Sequence, residues 1–281
     1  MISSISEINT LTPQAEFAAG VRRLEVATET LIPISERAIG VFHTGRQNRA
    51  LFVFAKLITH CMTMLLIIDK FRSMEKGAAT LDHSSLATIA RSVIDASLMT
   101  MYITFPELTA NQWNFRRHVL YLHDLTTRKR FLQSIDSLQR SKGIVKSPAP
   151  FFETYSVAKL NLKKKISIYG SSLGYNKSDI LELQKGQIVY IDGARGCVRE
   201  AGWSIDLYEF HQTYFSSFVH SHPVSFIHAE TQNISFSDPS NYQIGFCGMV
   251  CNSAALYAEA VGLRVSNFTG SESRDPLGQI D

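Results

Sequence analysis

The chain has 281 residues, of which 45% are hydrophobic and 19% charged, and its formal net charge is +3. That balance belongs to a globular protein able to bury a core without staples, and the four cysteines are too few for a disulfide framework at this length. The mild basicity neither requires nor excludes an anionic partner.

Residues 1–17 show no basic stretch followed by an apolar run, so no secretory signal is expected. Thr12 as N-cap and Pro13 at the first helical position start a helix over residues 13–37, with Pro33 a point of kinking. A second helix spans residues 48–74 and stops near Gly77. Its segment 50–68 is apolar enough to raise a membrane span, but Lys56, Thr59, His60 and Thr63 are expensive in lipid. A buried core helix and no membrane are therefore expected. A third helix is capped by Ser84 or Ser85 and stops before Pro106. The fourth opens at Thr109 or Asn111, runs to Lys142 and ends at Gly143. A loop over 141–150 leads to a fifth helix over 151–169 with a basic end. Residues 170–204 are broken by glycines around a short helix (178–184), an extended piece (187–191) and a glycine loop (192–197). Further helices cover 205–219 and 242–263, the last rich in small residues suited to close packing. The pattern predicts an all-α helical bundle of about seven or eight helices, irregular at 170–204. It also predicts one domain over residues 1–265, a disordered tail over 266–281, buried free thiols at Cys247 and Cys251, and a cytoplasmic location.

Three constellations place charge or imidazole in apolar surroundings. The third helix reads TIARSVIDASLMTMYITF from Thr88, apolar apart from Arg91 and Asp95. Residues four apart share a face, and Tyr102 lies on the same stripe three turns on. A charge there is costly to bury unless paired, so the stretch predicts a polar line inside the core. The arginine precedes the acid, the reverse of the order that suits a surface pair on the helix dipole. The pair reads either as an internal ion pair tying two helices, or as a guanidinium held by Asp95 and offered to an anion.

The second constellation is NFRRHVLYLHD, residues 114–124, with Arg116, Arg117, Tyr121 and His123. Arg116 and His123 share a face, whereas Arg117 and His123 diverge by about 120° on a continuous helix and converge only if it breaks. The third lies in residues 208–228. His211 projects onto the apolar face of Leu207, Tyr214 and Phe218, where Tyr208 or Tyr214 is expected to satisfy it. His220 and His222 sit at the helix end before Pro223, with no acid nearby to complete a hydrolytic metal set, so no metal is expected. A phosphate-binding glycine loop and a nucleophile elbow are both missing from the sequence, and no cofactor is expected.

An arginine followed by histidine at the spacing of Arg116–His123, Arg117–His123 and Arg37–His43 resembles the signature of HEPN ribonucleases. That resemblance implies metal-independent action of arginine and histidine at a scissile phosphate. Arg91, Ser92, Asp95 and Tyr102, followed by Tyr214 or Phe215, Ser216 or Ser217, Val219 and His220, resemble a bacterial all-helical family known as a domain of unknown function. Its members carry an Arg-Ser-hydrophobic-x-acid helix and a late Tyr-x-x-x-Ser-x-x-Val-His pattern. The family position of Asp95 is more often glutamate, so the carboxylate here has a shorter reach. The resemblance spans roughly residues 48–225 with gaps and implies a helical fold in mobile or phage-defence loci, without a defined activity.

Three functions are compatible with these residues. In the first, Arg91 and Arg117 neutralise phosphate, Asp95 orients Arg91, and His220 or His123 is the acid or base of a metal-independent ribonuclease or related phosphate-handling enzyme in a defence or toxin setting. In the second, the same groups with Tyr102, Arg116, Tyr121, His211, Tyr214 and Ser217 form a non-catalytic site for RNA, a nucleotide or another anion. In the third, the polar groups fix helix register in a homo-oligomerising structural protein.

Overall fold

The computed structural model describes residues 12–75, 80–142, 150–235 and 237–270. These form nine α-helices, in order α1 (Pro13–Glu36), α2 (Gly45–Ser73), α3 (His83–Thr104), α4 (Ala110–Ser141), α5 (Pro150–Ser172), α6 (Lys177–Leu183), α7 (Gly193–Glu200), α8 (Ile205–Val219) and α9 (Asn241–Thr269), with a 3₁₀ turn at Pro223–Ser225. There is no strand among the described residues, and 187–191 is irregular instead of extended. The helix beyond the expected number is α7, where the glycines at 193 and 196 had suggested a loop. Gly193 takes φ +69° as the lead-in, and the helix then buries Gly196, Cys197 and Val198. The expected stops at Gly77 and Gly143 lie outside the described residues. So does most of the expected tail, although α9 continues to Thr269.

The chain divides into two compact units. The first comes from Met1–Thr104 and Ala201–Asp281, the second from Phe105–Glu200.

In the first unit the largest helix–helix contact joins the first and last helices. Thr12 accepts from the Ala15 N–H and Ser240 from the Gln243 N–H, so both helix starts are capped. Successive pairs advance together along both chains: Gln14 donates to Asn241 (2.9 Å), Arg23 to Asn252 (2.8 Å), and Gly262 lies against Leu31. α1 and α9 are therefore parallel. They approach closely because glycines face each other. A Cβ on Gly20 would fall 2.2 Å from the Gly248 carbonyl oxygen, and one on Gly248 would fall 2.7 Å from that of Glu16. Pro33 does not end α1, whose neighbours Leu31 and Ile34 are buried. Ala254, Ala255 and Ala258 continue the small-residue packing of α9. Cys61, Cys247 and Cys251 are buried free thiols in this unit, and burial pushes the Cys61 and Cys251 thiols up to about 12.

α2 is only half the core helix that its composition suggested. Phe54, Leu57, Cys61, Met64 and Ile68 are buried, but Phe52 is 79% exposed and Leu66 66%. On the open side Thr59 and Thr63 donate to the Ala55 and Thr59 carbonyls (3.0 and 2.8 Å). By length and composition α2, α3 and α9 are each apolar enough to cross a membrane.

Two buried polar networks fix the unit. The Gln243 side chain, wholly buried, accepts from the Ser235 and Ser240 N–H groups (both 3.0 Å) and donates to the Ser235 carbonyl (3.0 Å), tying the preceding loop to α9. His83 stands edge-on to Phe218 and Phe246 beside it. His211 finds its partners on α9 and not in Tyr208 or Tyr214. Ser253 Oγ donates to the Met249 carbonyl (2.8 Å), so His211 Nε2–H donates to Ser253 Oγ (2.9 Å) and Tyr257 O–H donates to Nδ1 (3.1 Å). That is the neutral tautomer, and burial lowers the pKa of both histidines.

The second unit packs Phe115, Val119 and Leu122 of α4 against Ile166 of α5 and Ile180 and Leu183 of α6. Gly186, at φ +71°, brings its carbonyl to the Thr126 hydroxyl (2.6 Å), and a Cβ there would meet Thr126 at 2.7 Å. Phe131 and Leu138 of α4 face away from this core and are 66% and 57% exposed.

Two outcomes test this description. Gly20→Ala forces α1 and α9 apart and lowers stability by about 1–3 kcal/mol, the range for overpacking. Urea unfolding measures it, and an unchanged midpoint would contradict the glycine contact. His83 and His211 have folded pKa values below that of the unfolded chain, near 6.5. Their contribution is intact above that pH and is lost as pH falls below it, with a slope of up to about 1.4 kcal/mol per pH unit for each imidazole. The melting temperature should fall between pH 7.5 and pH 5, and less steeply in His211→Phe.

Candidate functional site

The sequence-derived site residues divide between the units. Arg91, Asp95, Tyr102, His211, Tyr214, Ser217 and His220 belong to the first, and Arg116, Arg117, Tyr121 and His123 to the second.

In the second unit α4 is continuous from Ala110 to Ser141, so Arg117 and His123 point about 120° apart and do not converge. The Arg116 side chain is 7% exposed and ion-paired with Glu200, with its guanidinium over the Phe105 ring at 5.7 Å. This is a buried structural tie between α4 and α7. Arg117 donates to Asn114 Oδ1 (2.9 Å), and His118 stacks on Tyr169. Tyr121 meets the His118 ring edge-on. His123 is half-buried, and desolvation, with Arg130 nearby, lowers its pKa.

In the first unit two of the expected binding residues are structural. Tyr102 is 3% exposed, and His211 is held in the network with Ser253 and Tyr257. Ser217 is buried and donates to the Tyr214 carbonyl (2.6 Å). The neighbouring Ser216 points the other way and accepts from Arg91 Nε at 3.0 Å. Of the two serines that the motif left open, helical geometry assigns Ser216 to the arginine.

The Arg91–Asp95 pair is not inside the core. The Arg91 side chain is 16% exposed and Asp95 55%, so the pair lies at the surface of α3 with the arginine stem buried. Asp95 binds Nη1 and Ser216 takes Nε. Nη2 has no protein partner among the described residues and is the guanidinium nitrogen that meets solvent. Two ligands thus fix the plane of the guanidinium, and its remaining edge is left to a third.

His220 is four residues after Ser216, on the same stripe of α8, and its N–H donates to the Ser216 carbonyl (3.1 Å). Its place is set by how α8 ends. The His222 N–H reaches the Ser217 carbonyl (2.8 Å), the Ser221 N–H reaches that of Phe218 (3.4 Å), and Ser221 takes φ +49°. This is a Schellman ending with serine where glycine is usual, and Pro223 then prevents further helix. A non-glycine residue in that region is strained, and here it holds the C-cap histidine at the rim. The His220 ring is exposed, stacked on His222 at 5.4 Å and without a hydrogen bond among the described residues. No group of three or more histidine, cysteine or acidic residues gathers among the described residues as a metal would require.

A second feature was invisible to sequence motifs. Tyr214 leaves α8 on the side opposite Ser216 and lines a cavity against α1 and α9 with Glu16, Arg23 and Tyr242. The only advance sign was the run of small residues in α9. Compared with protein-family models, with curated proteins and with solved structures, the chain matches none of them.

Proposed function

We propose that the first unit binds a phosphate-bearing ligand, a nucleotide or an RNA strand, at the stripe made by Arg91, Asp95, Ser216 and His220. The observation that carries this reading is the guanidinium of Arg91, oriented by Asp95 and Ser216 with Nη2 open to solvent. A planar donor held in this way suits a phosphate oxygen, and a charge-assisted bond of that kind is strong. His220, one turn along α8, supplies a ring N–H as a second donor. Binding is the reading taken over turnover because the Asp95 carboxylate is engaged in holding Arg91 and is not free as a second acid–base group. Arg117 and His123, which would have supplied another pair, diverge on an unbroken helix.

The test is fluorescence anisotropy of a labelled single-stranded RNA and of a labelled ATP, in EDTA. Arg91→Gln should weaken binding about 10- to 100-fold, the size of a lost charge-assisted hydrogen bond. Asp95→Asn should weaken it less, because it releases only the orientation. Binding that is equal in wild type and Arg91→Gln, or that is missing in wild type, removes the reading. RNA cut in EDTA by wild type and by neither Arg91→Gln nor His220→Gln would instead establish the ribonuclease alternative.

A further inference from the structure

We infer that the cavity between α1, α8 and α9 is a second site, for a small organic cation with a flat apolar body. It is an open groove with a volume of about 680 Å³, within the range of small-molecule pockets. The inference stands apart from the phosphate reading, since Tyr214 and Ser216 leave α8 on opposite sides.

Three aromatic rings build one wall. Tyr242 stacks on Phe246 at 5.9 Å with an interplanar angle of 10°, and Tyr214 stands nearly perpendicular to Phe246 at 5.5 Å. The Tyr214 and Tyr242 hydroxyls hydrogen-bond each other at 2.8 Å, which locks both rings and turns their polar ends toward one another. Burial and this bond raise the Tyr214 pKa, so its hydroxyl stays neutral. Phe246 lies between Tyr242 and Phe218, so the faces left to a ligand are the outer ones of Tyr214 and Tyr242, whose negative quadrupoles attract an ammonium group.

Charge on the remaining walls points the same way. Arg23 is neutralised by a two-pronged contact with Glu259 (2.8 and 2.6 Å) and is also held by Asn252. Glu16 has no ion-pair partner among the described residues, and its carboxylate lies 3.4 Å from where a Gly245 Cβ would stand. The starts of α1 and α9 at this end are capped by Thr12 and Ser240, so their N–H groups are partly taken up. Glu16 is then the one uncompensated side-chain charge among the residues named here. An anion would meet it unfavourably, a neutral ring would gain only burial, and a cation would gain both the carboxylate and the aromatic faces.

Isothermal titration of the full chain with three probes of one shape separates these cases: benzyltrimethylammonium, its uncharged carbon isostere neopentylbenzene, and phenylmethanesulfonate. The cation should bind about tenfold or more tightly than the neutral isostere, and the sulfonate weakest. Glu16 is exposed, so Glu16→Gln keeps the fold, and it should bring the cation down to the level of the neutral probe. Tyr242→Ala should weaken both the cation and the neutral probe. Arg91→Gln should leave all three unchanged, which keeps this result distinct from the phosphate test. Equal binding of cation and isostere, no effect of Glu16→Gln, or no heat from any probe would overturn the inference.

Discussion

The first unit rests on the absence of two side chains. Where Gly20 of α1 meets Gly248 of α9, neither helix carries a Cβ, and the two backbones close to a distance that even alanine would forbid. From that crossing the helices run in parallel from Gln14 beside Asn241 to Leu31 beside Gly262, and Val21, Leu24 and Leu31 of α1 and Val250, Ala254, Ala258 and Val261 of α9 are all buried. Such burial contributes about 25 cal/mol for each Å² of apolar surface removed from water, so a few tenths of an ångström of separation along a long seam has a large cumulative cost. Position along α9 in turn sets where Ser253 and Tyr257 stand, and these fix the His211 imidazole and with it the rotation of α8.

The rotation of α8 decides what each side of the unit can do. A helix turns by about 100° per residue, so Tyr214 and Ser216 face nearly opposite ways. With His211 and Phe215 anchored in the core, Ser216 is directed to Arg91 and Tyr214 to the groove beside α9. One buried histidine thereby positions two surfaces without contributing to either chemistry. The sharp ending of α8 at Ser221 does the same for His220. A strained backbone residue and the following proline hold the imidazole at the rim instead of letting the helix carry it onward.

Much of this architecture could be read from residue order. N-caps at Thr12 and Thr109, breakers such as Pro106 and the 3.6-residue periodicity located the long helices, because those signals act within a single turn. The small residues of α9 announced a close contact, but only the fold named Gly20 as its partner. α7 was missed because its glycines read as loop, whereas packing of Cys197 and Val198 outweighs their low propensity. Arg91 and Asp95 were found as a pair, yet their burial was overestimated: periodicity identifies a face without telling how deep it lies. The division into two units was not legible either, since no composition change marks Thr104 or Ala201. The aromatic cavity draws on residues more than 200 positions apart in sequence, Glu16 and Tyr242 among them, and no local pattern could have joined them.

The pairing of the first helix with the last also governs the order in which this chain can be assembled. As α1 leaves the ribosome its apolar stripe has no α9 to cover it, and the missing surface is made only more than 200 residues later. The intervening segment of Phe105–Glu200 has its own core and local contacts, the conditions under which a region settles early. Completion of the first unit must therefore wait until α9 has been made, with Leu24 and Leu31 exposed in the meantime.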